Sequence, residues 1–357
     1  MDTTTLDLTT GYLGLTLRNP LVASPSPDNA DLGHLRQLED NGIGAVVLPS
    51  LFEEQLSARA RWLDDLERNT EAHNPEASGY FPPQVLEGPY GVGPDAYLEL
   101  IRQARAALDV PVIASLNGAT PGGWVDHAAA IEAAGADALE LNIYYVPVEL
   151  EQGGREIEER YLQVLSAVRA KVRIPVVVKM PPYFSAIADM ASRFVDGGAD
   201  GLVVFNRFLQ PDIDLSRMTL SSELALSQPE EMRLALLWVA VLHGRLRCSL
   251  AASTGVETSE QVVKYLLAGA DVVMTTSALL RHGPGHVATL LAGLRAWCEA
   301  RGVASLAEIR GLMSRERLRD NVAGVYERAN YLHLIAHYSS HQAYRALFGK
   351  GAHHRVP

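Results

Sequence analysis

Cysteine is nearly absent: 357 residues contain two, Cys248 and Cys298, at no spacing that closes a metal site. That scarcity excludes a disulfide-stapled scaffold and an iron–sulfur cluster carried by this chain alone, and it fits a reducing cytoplasm. Basic charge is also short. Lys and Arg number 31 against 42 Asp and Glu, a formal net charge of -11, so nucleic-acid binding is not expected. No apolar run is long enough to cross a bilayer, and residues 1–10 lack the basic-then-apolar layout of a signal peptide. A cytoplasmic protein with no membrane association, acting on a small molecule, is the expectation these absences leave.

What is present is an ordinary globular composition, 48% hydrophobic and 20% charged, arranged with a period. Short runs rich in Val, Ile and Leu recur at 21–24, 45–48, 112–116, 138–143, 176–180, 201–205, 248–252 and 271–275. Their hydrophobicity is continuous rather than alternating, which marks strands buried on both faces of a parallel sheet. Between them lie helical patterns at 31–40, 96–108, 125–134, 155–171, 186–196, 229–244, 259–268 and 286–301, several ending in a glycine stop such as Ala134-Gly-Ala or Ala268-Gly-Ala. Eight alternating units predict an α/β fold of the closed (β/α)8 TIM-barrel type, spanning residues 1–310. Two segments exceed the minimal repeat. Residues 51–93, after the second strand, carry Tyr80, Phe81, Pro82, Pro83, Pro89 and Tyr90 and are expected to form an ordered lid. Residues 311–357 are expected to be a C-terminal helical extension with a flexible tail.

In such a barrel the reacting groups stand at strand ends and in the loops that follow. Those positions hold Ser24, Ser50, Asn117, Asn142, Tyr144, Tyr145, Lys179, Asn206, Arg207, Ser253, Thr254, Gly255, Thr276 and Ser277. The set contains no metal-ligand cluster and no Ser-His-Asp arrangement, and none of the 11 His falls on a strand end, which counts against hydrolase and metalloenzyme readings. Lys179, ending the run Val176-Val-Val-Lys-Met, is a partly buried cation that needs a partner. It could stabilise negative charge near N1 and C2=O of a reduced flavin, pair with Glu140 on the neighbouring strand, or form a Schiff base. The loops after the seventh and eighth strands, Ser253-Thr-Gly-Val and Thr275-Thr-Ser-Ala, have the hydroxyls and backbone N–H groups of a phosphate cradle, a layout that suits FMN.

Several longer strings are more specific: Ala138-Leu-Glu-Leu-Asn, Val177-Val-Lys-Met-Pro-Pro-Tyr-Phe, Gly255-Val-Glu-Thr, Leu267-Ala-Gly-Ala and Ala278-Leu-Leu-Arg-His-Gly-Pro. Together, from Arg18-Asn-Pro-Leu-Val to about residue 310, they resemble the dihydroorotate dehydrogenase family, its class 1 branch above all. The resemblance implies FMN as cofactor and a homodimer. It also implies a cofactor side made of Ser24, Asn117, Asn142, Lys179, Thr254, Gly255, Thr276 and Ser277. Lys179 would meet the flavin ring near N1, and Gly255, Thr276 and Ser277 would hold the phosphate. Asn142 and Asn206 would face the substrate; Arg207, next in the chain, is read from its own chemistry as an anion clamp.

The substrate side departs from the family pattern. Where the family places a Cys or Ser base in Leu-Asn-x-Ser-Cys-Pro-Asn, this chain reads Leu141-Asn-Ile-Tyr-Tyr-Val-Pro, so Tyr145 stands at the base position, Tyr144 beside it and Pro147 in place of the asparagine. A second-strand Thr-Lys-Ser becomes Leu48-Pro-Ser, and residues 80–91 show no counterpart of the family's orotate-gripping asparagine. A phenol, with a reference pKa of about 10, is a poor replacement for that base. The leading expectation is therefore an FMN-dependent oxidoreductase acting at a CH–CH bond of a small polar substrate other than dihydroorotate, with Tyr144, Tyr145 and Lys179 as catalytic candidates. The alternatives are a genuine dihydroorotate dehydrogenase of pyrimidine biosynthesis, an FMN-holding barrel that serves a separate electron-transfer partner, and a flavin-free Schiff-base barrel.

Overall fold

A computed structural model describes residues 6–56, 93–120, 122–208, 211–221, 225–318 and the single residues 326 and 335. All eight apolar runs become strands: β1 (Leu21–Ala23), β2 (Ala45–Phe52), β3 (Val112–Asn117), β4 (Ala138–Asn142), β5 (Val176–Met180), β6 (Gly201–Val204), β7 (Ser249–Ala252) and β8 (Val272–Thr275). They pair in chain order, every pairing parallel, and β8 returns to β1 to close the barrel. Helices follow the strands: α1 (Leu32–Asp40), α2 (Pro94–Ala107), α3 (His127–Ala134), α4 (Gly154–Arg169), α5 (Ile187–Asp196), α6 (Met232–Leu242), α7 (Ser259–Ala268), and after β8 both α8 (Ser277–His282) and α9 (His286–Glu299). The fold is the expected (β/α)8 barrel.

Period two divides each strand between the barrel interior and the helix layer. On β5, Val176, Val178 and Met180 pack outward in the main core, while Val177 joins the interior cluster and Lys179 follows it on the same face. Ala138, Glu140 and Asn142 climb the inner face of β4 in the same way. The interior therefore changes from apolar to polar toward the C-terminal mouth, which is where the chemistry has to lie.

The bottom of the barrel is closed by an antiparallel hairpin, Thr10–Tyr12 with Leu15–Leu17, that the apolar pattern does not reveal. Its Tyr12, Leu13 and Leu17 pack with Val22, Val47, Val177, Val203 and Val272 inside the barrel. Leu13 N–H donates to Ser249 Oγ at 2.9 Å, and Thr10 Oγ1 donates to the Asp271 carbonyl at 2.9 Å, so the plug is tied to β7 and to the approach to β8. A second hairpin, Asp212–Asp214 with Thr219–Ser221, stands out from the loop after β6.

Of the expected lid at 51–93, residues 51 and 52 extend β2, and residues 57–92 lie outside the described residues. In the expected extension, residues 311–318 are laid onto the barrel's helices: Gly311 and Met313 donate to the Leu266 and Leu267 carbonyls of α7, and Arg315 donates to Ala240 of α6. Beyond 318, all but residues 326 and 335 lie outside the described residues.

Candidate active site

Strand register sets the site. Asn117 on β3 lies beside Asn142 on β4, and Asn142 lies beside Lys179 on β5. Three inward polar side chains thus form a row at one level, one layer above Ser115 and Glu140, which also pair in register. Asn206 joins them from just beyond β6, where its N–H donates to the Met180 carbonyl at 2.7 Å. Its side-chain amide donates to Asn142 Oδ1 at 2.7 Å, so the two carboxamides act as one unit.

Lys179 is buried, and its ammonium donates to Ser24 Oγ at 3.2 Å and stands 3.4 Å from Glu140 Oε1. The ion pair foreseen with Glu140 is therefore present, and the same lysine still reaches the cavities above it. Glu140 is fully buried; its Oε1 also accepts from Ser115 Oγ at 3.5 Å, and Ser115 Oγ is 2.8 Å from Ser50 Oγ. A polar chain thus runs under the mouth from β2 to β1. Glu140 Oε2 has no hydrogen-bond partner among the described residues.

Two cavities open over this floor. One, of about 340 Å³, is bounded by Ser24, Lys179, Ser227, Thr254, Gly255, Thr276 and Ser277, among others. The second, of about 280 Å³, is bounded by Pro49, Ser50, Phe52, Asn117, Asn142 and Tyr144. Both also share Lys179, Asn206 and Arg207, so they adjoin at the lysine.

The first cavity is a hydroxyl and backbone cradle. Ser277 Oγ accepts from Ser227 N–H at 3.1 Å and lies 3.0 Å from Ser227 Oγ, toward which the Gly255 N–H points at 3.4 Å. Thr254 and Gly255 both have positive φ, 81° and 70°, which turns the chain sharply at the end of β7. Glycine at 255 is required by the protein's own close packing. A β-carbon there would sit 2.8 Å from the Met232 nitrogen and 3.0 Å from the Gln228 carbonyl. Tyr265 of α7 props this turn from below, its buried hydroxyl donating to the Thr254 carbonyl at 2.8 Å and lying 3.1 Å from that of Ser253. Ser227 carries no motif and lies far from any strand end in sequence, so strand-end reading misses it.

On the substrate side, two expectations change. Tyr145, at the family's base position, lines neither cavity: its hydroxyl donates to Gln152 Oε1 at 2.7 Å, and the Arg160 guanidinium covers its ring at 4.2 Å. Tyr144 takes the inward place and stacks on Phe208, ring centroids 4.0 Å apart. Arg207, expected as an anion clamp, is already paired. Its Nε lies 2.7 Å from Glu231 Oε2, and its guanidinium also donates to the Ala225 carbonyl. Pro49, in the place of the family's lysine, coincides with a break in the β2–β3 register between Val47 and Ser50, as a residue with no N–H to donate requires.

Among the described residues no His, Cys, Asp and Glu group is placed to hold a metal ion, and no helix is long and apolar enough to span a membrane.

Fold and site define a class: a closed (β/α)8 barrel with a cradle of hydroxyls and backbone N–H groups after its last two strands and a lysine and carboxamide floor beside it. The profile of the family described as dihydroorotate dehydrogenase matches residues 88–297, and the chain belongs to that family. Individual relatives agree. A protein of Aeropyrum pernix provisionally named dihydroorotate dehydrogenase A (fumarate) is 32% identical over 223 residues, 61% of this chain and 72% of that one. The dihydroorotate dehydrogenase B (NAD(+)) catalytic subunit of Methanothermobacter thermautotrophicus is 28% identical over 321 residues, 85% of this chain and 98% of its own. Its counterpart in Pyrococcus abyssi is 27% identical over 322 residues, 85% and 98%.

Proposed function

We propose that the chain is an FMN-dependent oxidoreductase that moves two electrons between the cofactor and a CH–CH bond of a small polar substrate. The observation that carries this reading is the junction of two unlike cavities at one buried lysine. The residues present fit the cofactor. Hydroxyls of Ser227, Thr276 and Ser277 with the Gly255 N–H suit a phosphate, and Lys179 is the ammonium for the electron-rich edge of the ring. Bound FMN supplies two-electron chemistry by taking or giving a hydride at N5.

The chain's own groups do the rest. Ser24 and Glu140 hold the Lys179 ammonium in place from below. The Asn142–Asn206 unit and Asn117 bind and orient the substrate, while Tyr144 is the side chain we assign to carry the proton. Purified protein should be yellow, or become so on reconstitution, with absorbance in the flavin bands. A colourless chain that takes up no FMN overturns the reading.

The names of the relatives favour a second reading, a genuine dihydroorotate dehydrogenase. Pro49 and the outward Tyr145 speak against it, and rapid anaerobic bleaching of bound FMN by dihydroorotate would establish it instead. Those relatives are also named catalytic subunits, which supports a separate chain as electron-transfer partner.

A further inference from the structure

Glu140 is a buried carboxylate that the chemistry proposed above hardly uses. It stands on the inner face of β4, one layer below Asn142, and it is fully buried and borders neither cavity. Its Oε1 lies 3.4 Å from the Lys179 ammonium and accepts from Ser115 Oγ at 3.5 Å. Two phenols feel the same charge, Tyr12 of the plug and Tyr97 of α2. Burial raises both hydroxyls, the Glu140 charge raises them further, and the Ser115 N–H offsets this only in part at Tyr97. Both stay protonated and cannot neutralise the carboxylate. The cation that answers it is Lys179, which itself lines both cavities.

This placement has an electrical consequence. A cation at the edge of a flavin ring stabilises the charge that reduction puts there, and so raises the ring's affinity for electrons. In an interior that water does not screen, a carboxylate 3.4 Å from that cation subtracts from the effect. Ser24 Oγ accepts from the same ammonium at 3.2 Å and steadies it without opposing its charge. Holding the lysine still therefore calls only for acceptors, whereas offsetting its charge calls for an acid.

We propose, resting on the flavin reading above, that Glu140 is a positioning residue that sets the flavin's electron affinity: it partly cancels the Lys179 charge and keeps bound FMN a weak acceptor and a ready donor of electrons. The two-electron midpoint potential of the FMN-loaded full chain, from reductive titration against reference dyes, reads this without any substrate. Glu140→Gln keeps the shape and an acceptor for the ammonium but removes the charge. Bound FMN should then gain at least about tenfold in affinity for an electron pair, about 30 mV upward in potential. Sulfite, an anion that adds to the same ring, should bind more tightly in step. Glu140→Asp draws the carboxylate back by one methylene and should give a smaller rise, which keeps the idea testable if the glutamine variant does not fold. A residue that only held the lysine still would act in the opposite sense, since its loss would let the ammonium drift from the ring and the potential would fall. An unchanged or lower potential in Glu140→Gln, or in Glu140→Asp where that alone folds, overturns the proposal and leaves the flavin reading intact. An unaltered chain that takes up no FMN overturns both.

Discussion

Lys179 and Glu140 illustrate how one buried pair serves both stability and chemistry. A paired buried charge adds little net stability, but removing one partner strands the other in a low-dielectric interior. Glu140 is fully buried and already has one oxygen without a partner, so it has nowhere to turn. Lys179→Met should cost about 3–5 kcal/mol in chemical denaturation, and the double change Lys179→Met with Glu140→Gln should recover most of that. Equal losses in the single and double variants would mean that the pair is not coupled. The two tyrosines divide in a different way. Tyr144→Phe should slow anaerobic reduction of bound flavin by its substrate about a hundredfold or more, the usual worth of a positioned acid or base, whereas Tyr145→Phe should leave the rate near that of the unaltered chain. The reverse ranking would return the proton to Tyr145. Lys179 was legible in the sequence because strand period two dictates which way it faces. Tyr144 and Tyr145 were not separable, because residues 143–149 follow no regular period that would say which ring turns inward.

At the scale of elements, the eight β/α units were readable because each strand is apolar on both faces and several helices end on a glycine stop. The plugging hairpin was not, since its strands are three residues each, Thr10–Tyr12 and Leu15–Leu17, too short to show a period. Two glycines test how these elements meet. A β-carbon on Gly44 would be driven into the backbone carbonyls of Asn19 and, at 2.9 Å, Leu21, where β1 and β2 enter the barrel. On Gly201 it would meet the Leu13 side chain of the plug at 2.6 Å and the Ser249 carbonyl at 3.1 Å. Backbone cannot yield as a leucine tip can, so Gly44→Ala should cost about 3 kcal/mol or more and Gly201→Ala nearer 1–2 kcal/mol. Denaturant midpoints in the opposite order would show that the plug is the more rigid junction.

For the whole molecule, the net charge of -11 says only that an anionic cofactor is not drawn in by the overall field; the cradle must act locally. Its serines and backbone N–H groups offer hydrogen bonds, and among the described residues the nearby Arg281 is paired with Glu257. Whatever binds the folded barrel and not the unfolded chain must stabilise it by mass action. FMN at about a hundredfold excess over its dissociation constant should add about 2.7 kcal/mol, raising Tm by roughly 3–4 °C in a chain of this size. The same titration with riboflavin, which has the ring but no phosphate, separates the two ends of the site. If the cradle around Ser227, Gly255 and Ser277 holds the phosphate, riboflavin should give a much smaller shift at equal concentration, and Ser277→Asp, which sets a carboxylate against that phosphate, should reduce the FMN shift to the riboflavin level. Equal shifts from FMN and riboflavin would leave Lys179 and the asparagines as the cofactor's grip and free the cradle for another ligand.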